Sequence, residues 1–176
     1  GPRRMTDTIW TSWVGDREWV DRWYDQHLYL IRRSPRFRPV PGFRRVVLAE
    51  WREIAHHSGL MEEEDLGRNP YVRDPGAHER VVRQRIRGGR TWVTERTGDL
   101  RFLINVGTSH EVGCQVGGTY VPPRWRGRGY GTLGMQAICR ELLRVHPFVS
   151  LHVNEANTPA VTVYERVGFE RHTPFR

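Results

Sequence analysis

The glycine-rich segment RGRGYG, from Arg126 to Gly131, holds the residue types and the spacing that are most suited to chemistry. It follows a strand-like run and precedes a helical pattern, so its glycines fall where a strand turns into a helix. Glycine permits positive φ and close approach of a ligand to the backbone, and the first N–H groups of a helix lack internal partners. Such a turn binds anions, above all phosphate, and the adjacent arginines would strengthen it. Its spacing matches neither the Walker-type phosphate loop nor the dinucleotide fingerprint.

A second block, from Asn157 to Phe169, follows after one predicted helix and one predicted buried strand. Asn157 can cap a helix that has Pro159 near its first turn. The apolar residues of this helix share one side with Tyr164, and Gly168 ends the helix. The pattern therefore predicts an amphipathic helix that directs a tyrosine inward.

Together, the two blocks resemble the acyl-CoA loop and the later signature of the GNAT superfamily of acyl-CoA-dependent N-acetyltransferases. The loop pattern is Arg or Gln, two residues, Gly, one residue, then Gly or Ala. In the later signature an asparagine begins a helix and a tyrosine precedes Gly-Phe by four residues. The resemblance covers about residues 44 to 176 and is strongest after Val112. Residues 71 to 131 also resemble the C-terminal unit of tandem-type bacterial members.

The resemblance implies an α/β fold, with a mixed, mainly antiparallel twisted sheet flanked by helices. It also implies direct transfer of an acetyl group from acetyl-CoA to a primary amine in a ternary complex, without a metal. Tyr164 would protonate the departing sulfur or donate a hydrogen bond to it, since a thiol titrates near 8.5 and tyrosine near 10. The residues expected to bind acetyl-CoA are Tyr120, Val121, Arg126, Gly127, Arg128, Gly129, Tyr130, Gly131, Thr132 and Asn157.

The sequence leaves the general base open. An amine is mostly protonated at neutral pH, and several residues could accept its proton. We expect Glu111, at the start of the glycine-bearing strand, or Glu155, after the buried strand. The middle of the glycine-bearing strand supplies no carboxylate, which favours a proton relayed through water. Further candidates are His152 and the run Glu62 to Glu64.

Arginine supplies all 28 basic residues of the 176-residue chain, which has 20 acidic residues and a formal net charge of +8. The absence of lysine excludes Schiff-base chemistry and a P-loop lysine on this chain. The positive charge favours anionic ligands such as nucleotides and phosphates. Cys114 and Cys139 have neither metal-ligand spacing nor a disulfide framework, and no apolar run could span a bilayer. We therefore expect a cytoplasmic protein with no membrane partner.

The apolar pattern also predicts the order of the elements. A helix over 16–33 and a proline-rich linker make an N-terminal helical extension over 1–43, followed by an acetyltransferase domain over 44–176. A second helix is expected over 43–59, ended by its last glycine. The pattern then predicts a helix after Asp74, a hairpin that turns at 97–99, and a third strand over 112–121 whose glycines mark a bulge or a close approach.

Two other functions stay open at this point. A non-catalytic CoA-binding or regulatory domain would keep the loop and lack a base. Arginines interleaved with tryptophans would suit nucleic acid, which is the less favoured partner. Only seven residues follow Phe169, so the last strand of the sheet is missing or donated by another molecule, and a homodimer is an open alternative.

Overall fold

The computed structural model describes residues 1–13, 23–36 and 38–176. Within these ranges the chain forms a seven-stranded sheet with helices packed against both faces. The strands are β1 Gln26–Ile31, β2 Phe43–Arg45, β3 Thr91–Arg96, β4 Asp99–His110, β5 Gly113–Tyr120, β6 Val149–Asn154 and β7 Glu170–Phe175. The α-helices are α1 Arg3–Trp13, α2 Trp51–Leu66, α3 Pro70–Arg73, α4 Pro75–Arg87, α5 Tyr130–Leu142 and α6 Thr158–Val167.

The sheet has the order β2-β3-β4-β5-β6-β1-β7. Every neighbouring pair is antiparallel except β5 and β6, which are parallel. The connection between these two parallel strands contains α5, because parallel neighbours need a long crossover. The expected mixed, mainly antiparallel sheet flanked by helices is confirmed.

Two apolar cores, one on each face of the sheet, hold the helices in place. Along β4, Phe102 and Ile104 belong to one core and Leu103 to the other, as the alternation of a strand requires. The first core packs against α5 and α6 and includes Tyr164. The second packs against α2 and α4 and includes Ile54. The two helix pairs therefore lie on opposite faces of the sheet.

The helix predicted over 16–33 is wrong where the structure describes it. Residues 14–22 lie outside the described residues, whereas Gln26–Ile31 forms β1. This strand lies between β6 and β7 and is antiparallel to both. Its sequence QHLYLI fits a helical period and a buried strand equally well, so pairing with distant strands decides its conformation. Part of the predicted 1–43 extension thus pairs with strands of the predicted 44–176 domain.

The C-terminal segment forms the single strand β7, as expected. The strand beside it, which the sequence predicted to be missing or donated by another molecule, is β1 of the same chain. The N-terminal ammonium also donates to the Arg176 carbonyl at 2.8 Å, and the Arg176 guanidinium pairs with Asp25 and with Asp7, each at 2.7 Å. β7 therefore does not need a strand from a second molecule beside it, and the homodimer stays a prediction.

The second predicted helix begins and ends later in the structure than over the predicted residues 43–59. Phe43–Arg45 is a strand, and α2 passes through Gly59 and ends at Gly67, which has a φ of 69°. Gly59 has a different role, since a Cβ there would lie 2.5 Å from Asn69 Oδ1. Gly59 therefore permits close packing before α3, and it does not end a helix.

The remaining predicted elements are confirmed. Asp74 Oδ1 accepts a hydrogen bond of 2.9 Å from the N–H of Ala77 at the start of α4. β3 and β4 form the expected hairpin, and Thr97 and Gly98 at its turn have φ of 56° and 73°. Positive φ at both central residues is typical of a two-residue hairpin turn. No described helix is long and apolar enough to cross a membrane.

Candidate active site

A cleft opens where β5 and β6 diverge. The two parallel strands pair only at Cys114–Val149 and Gln115–Ser150, although both continue for several residues beyond. The separated strands border a cleft of about 780 Å³. Because the strand edges are unpaired there, they can present backbone N–H and C=O groups to a ligand.

A bulge interrupts β5 beside this cleft. The pairing with β4 shifts between Asn105–Gly117 and Leu103–Tyr120, so that β5 has one extra residue. Gly118 has a φ of 61°, and a Cβ on it would lie 2.7 Å from Asn105 Nδ2. The bulge that the glycine pair predicted is therefore confirmed, and it brings the β5 backbone against a polar side chain of β4.

The glycine-rich loop lies at one end of the cleft. Gly127 and Gly129 have φ of 72° and 82°, and Gly129 immediately precedes α5. No side chain caps this helix, and the N–H of Leu133 bonds back to the Gly129 carbonyl at 3.0 Å. The N–H groups of residues 130–132 are left without intrahelical partners at the edge of the cleft. This geometry suits an anion.

Cationic and aromatic side chains hold the loop in place. The Cζ atom of Arg101, on β4, lies 3.6 Å from the centroid of the Trp125 ring, and its guanidinium donates to Tyr130 Oη at 2.7 Å. Arg128 Cζ lies 4.9 Å from the same ring. Arg101 was missed by the sequence reasoning, because nothing in the hairpin pattern indicates which loop its side chain meets.

All the residues predicted to bind acetyl-CoA line the cleft except Arg128. Asn157 is also the predicted helix cap, since its Oδ1 accepts from the N–H of Ala160 at 3.2 Å. Arg126 is held by the protein itself. Its Nε donates to the Val121 carbonyl at 2.9 Å, and its Nη2 lies 2.6 Å from Glu64 Oε2. This ion pair joins the loop to α2.

Tyr164 is buried in the wall of the cleft, with 7% of its surface exposed. Its ring packs edge-on against Phe169, with centroids 6.0 Å apart. Burial raises the pKa of its hydroxyl, a hydrogen bond with Thr119 opposes this rise, and the charge of Asp65 adds to it. The phenol therefore keeps its proton through neutral pH, as a general acid must.

Neither carboxylate expected as the base faces the cleft. Glu111 is exposed in the turn between β4 and β5. Glu155 follows β6, and its carboxylate lies 2.7 Å from Arg3 and 2.9 Å from His27 Nδ1. Both are absent from the cleft lining in the described chain. The structure argues against both as the base and shows instead that Glu155 anchors the N-terminal segment.

Four other carboxylate or imidazole side chains of the described residues line the cleft: His152 on β6 and Glu62, Glu64 and Asp65 on α2, so two members of the predicted run Glu62 to Glu64 are there. His152 Nδ1 lies 3.1 Å from Gln115 Nε2, and its Nε2 is buried without a hydrogen-bond partner among the described residues. Loss of hydration lowers the pKa of this imidazole. Loss of hydration, and then the charge of Glu64, raise the pKa of the Asp65 carboxyl. No group of three or more potential metal ligands comes together in the described ranges.

The cleft wall also carries polar side chains that the sequence reasoning missed. Asn105 is buried, and its Oδ1 accepts from Thr91 Oγ1 at 2.9 Å. Asn154 Oδ1 is buried and lacks a partner within the described part of the chain. Arg85 of α4 and Gln26 of β1 line the same cleft. Only the pairing of distant elements brings these residues together.

Known proteins share this architecture. The family model described as FR47-like protein matches residues 100–175. A GNAT-family acetyltransferase from Colwellia psychrerythraea superposes with a TM-score of 0.69 at 10% identity, covering 88% of this chain and 57% of its own. The chain has the GNAT fold. A GCN5-related N-acetyltransferase from Sphaerobacter thermophilus matches it with a TM-score of 0.63 at 20% identity, over 86% of this chain and 49% of the other.

A tandem GNAT protein from the clavulanic acid biosynthesis pathway matches 96% of this chain and 56% of its own, with a TM-score of 0.63 and 22% identity. The resemblance to the GNAT superfamily that the two sequence blocks predicted is confirmed. The chain spans less than two thirds of the length of these GNAT structures. No curated protein matches it significantly.

Proposed function

We propose that the chain is an N-acetyltransferase that moves an acetyl group from acetyl-CoA directly to a primary amine while both are bound. One observation carries this proposal. β5 and β6 separate into a cleft that has free helix N–H groups at one end and the buried Tyr164 hydroxyl in its wall. The GNAT fold supports the reaction class.

The loop fits the diphosphate of acetyl-CoA. A Cβ on Gly127 or Gly129 would meet no atom within 4 Å, so a ligand can approach the backbone there. The free N–H groups at the start of α5 can donate to phosphate oxygens. No described carboxylate lies within 4.0 Å of Arg128, so its charge is available to the same anion. Acetyl-CoA would supply the thioester, with its pantetheine arm along the unpaired edge of β5.

In the transfer step, the amine nitrogen forms a bond to the thioester carbon, and the C–S bond breaks. Negative charge develops first on the carbonyl oxygen and then on the sulfur. We assign the backbone N–H of Val121, just beyond β5, to the carbonyl oxygen, as the family resemblance implies. A preorganised donor of this kind contributes about 10²- to 10³-fold to turnover.

Tyr164 is assigned to the sulfur. Its raised pKa keeps it protonated at neutral pH, so it can donate a hydrogen bond as the sulfur gains charge and then pass on its proton. The burial that raises the pKa of this tyrosine would also raise that of a thiol beside it, which keeps the two groups matched for proton transfer.

His152 is assigned as the base that takes the proton of the amine. Its lowered pKa leaves it neutral at pH 7, and its unpartnered Nε2 is at the cleft. The Gln115 amide can donate from Nε2 or, when flipped, accept at Oε1, so it supports either tautomer of the imidazole. Asp65 is the second candidate, acting through water from the α2 side.

The test is thioester consumption with a panel of primary amines, followed by detection of the released thiol. We expect release that depends on the amine, with intersecting initial-velocity patterns, because direct transfer needs both substrates on the enzyme. A ping-pong pattern would contradict direct transfer. Calorimetric CoA binding without turnover on any amine would support the non-catalytic alternative, and absence of CoA binding would refute both.

A further inference from the structure

Three arginines of the described residues line the cleft, and Arg126 and Arg166 are exposed, whereas the third, Arg85, is partly buried and has no counter-ion. Arg85 lies in the last turn of α4, is partly buried, and lines the cleft together with Asn105 and Gly107 of β4. No described carboxylate lies within 4.0 Å of its guanidinium. Arg126, the arginine at the loop, is by contrast paired with Glu64. The Arg85 guanidinium is therefore free to pair with an anionic group of a ligand in the cleft.

The position of Arg85 in its helix does not account for this arrangement. A basic residue near the C-terminal end of a helix interacts favourably with the helix dipole. Arg87 shares the same last turn and can make that interaction, yet it is exposed and does not line the cleft. The dipole therefore explains a basic residue in this turn but not the side chain that faces the cleft.

The level of Arg85 in the cleft also separates it from the phosphate loop. The N–H of Arg90 donates to the Arg85 carbonyl at 3.0 Å, and the N–H of Val106 donates to the Arg90 carbonyl at 2.7 Å, which puts the end of α4 at the level of Val106 on β4. The loop begins after Tyr120, which pairs with Leu103, three residues further along β4. A rise of about 3.3 Å per residue puts roughly 10 Å of strand between these two levels. The loop has its own arginines and helix N–H groups, so Arg85 is available to a second ligand.

The wall formed by β6 suits the other end of such a ligand. Asn154 Oδ1 and His152 Nε2 are buried at the cleft and lack hydrogen-bond partners among the described residues. An amine can donate to both. β4 and β6 flank β5 in the sheet, and β5 and β6 have separated at this level, so more than two strand spacings, more than about 10 Å, separate the backbones of the two walls. Their side chains can therefore hold opposite ends of a small molecule.

We propose that the acceptor is a small amine that also carries an anionic group, a carboxylate or a phosphate, and that Arg85 binds this group. The inference rests on the proposed function, since it names the acceptor class of the same reaction. A guanidinium fork matches both anions with two parallel hydrogen bonds. Binding the anion near α4 directs the amine towards β6 and the base.

The test compares amines in matched pairs that differ in the anionic group: glycine with glycinamide, β-alanine with its amide, and phosphoethanolamine with ethanolamine. The wild-type enzyme should have a kcat/KM for the charged member of at least one pair that is higher by about 10- to 100-fold, the effect of a charge-assisted hydrogen bond. The pair that shows the preference distinguishes carboxylate from phosphate.

Arg85→Gln should abolish this preference, and Arg85→Lys should keep part of it. Arg87→Gln removes the same charge from the same helical turn outside the cleft and should keep all of it. For each pair of amines, the ratio of the two kcat/KM values is compared between the variants and the wild-type enzyme. The intrinsic reactivity of the two amines is the same in every variant, so it cancels from this comparison. Circular-dichroism melting of each variant shows that it is folded.

The outcomes separate this inference from the proposed function. Turnover of amines with no preference for the charged member would overturn the inference and leave the acetyltransferase in place. Equal loss on both members of a pair in Arg85→Gln would show a structural role and also overturn it. No turnover on any of the six amines, with CoA bound, would overturn both.

Discussion

Replacing Tyr164 with Phe tests the proposed acid, because it removes one hydroxyl from the cleft wall and keeps the ring against Phe169. Because the ring keeps its packing and only one polar group is lost, the free energy of unfolding should fall by no more than about 1 kcal/mol. Turnover should fall by about 10²- to 10⁴-fold, the contribution of general acid catalysis. The Kd for CoA should stay close to the wild-type value. Thiol release at saturating substrates measures the turnover, and calorimetry measures the Kd for CoA.

The pH profile gives the same test an independent readout. The acid is active when protonated, and its pKa is raised above the usual value near 10, so its deprotonation should lower wild-type turnover on the far alkaline side, and Tyr164→Phe should lack that alkaline limb. Tyr29→Phe is the matched control. Tyr29 is 4% exposed, belongs to the same core, and donates to Glu165 Oε1 at 3.3 Å outside the cleft lining. Wild-type turnover in Tyr164→Phe, or an equal loss in Tyr29→Phe, would refute the reasoning.

Three further substitutions test the loop, the base and the packing. Gly129→Ala should cost about 1–2 kcal/mol, because alanine is strained at a φ of 82°, and it should weaken the CoA affinity measured by calorimetry. Gly98→Ala is the control, since Gly98 has a φ of 73° in the exposed hairpin turn and its substitution should leave the CoA affinity unchanged. His152→Gln should lower kcat/KM by about 10²-fold or more and remove the acidic limb of the pH–rate profile. That limb lies below pH 6.5, because the base is lost as pH falls through its lowered pKa; an unchanged profile would exclude His152. Gly134→Ala would place a Cβ 2.3 Å from Phe102 Cδ1 and should cost about 1–3 kcal/mol in thermal unfolding, so an unchanged Tm would contradict the packing of α5 on β4.

The elements after α3 could be predicted from the sequence because their signals are local. Asp74 and Asn157 cap helices through backbone N–H groups three residues away, and Gly168 ends a helix at a φ of 106°. The N-terminal strand could not be predicted in this way. The segment becomes a strand by pairing with β6 and β7, which lie far along the chain, and no local signal in Gln26–Ile31 indicates that pairing.

The same distinction applies to the site. The phosphate loop consists mainly of backbone groups whose positions follow from Gly127 and Gly129, so a sequence pattern can identify it. A base depends on which titratable groups are already paired. Glu155 has Arg3 as a partner from the opposite end of the chain, and no local pattern shows such a pairing.

The insertion of β1 also sets the order in which the molecule can assemble. Ile31 pairs with Val149, and Leu30 with Glu170, so the strand has no partners until nearly all of the chain is present. Pairings this distant in sequence slow folding. In a chain synthesised from its N-terminal side, β1 leaves the ribosome long before the two strands that will enclose it. Since Gln26 and β6 both border the cleft, the cleft should be complete only at the last stage of folding.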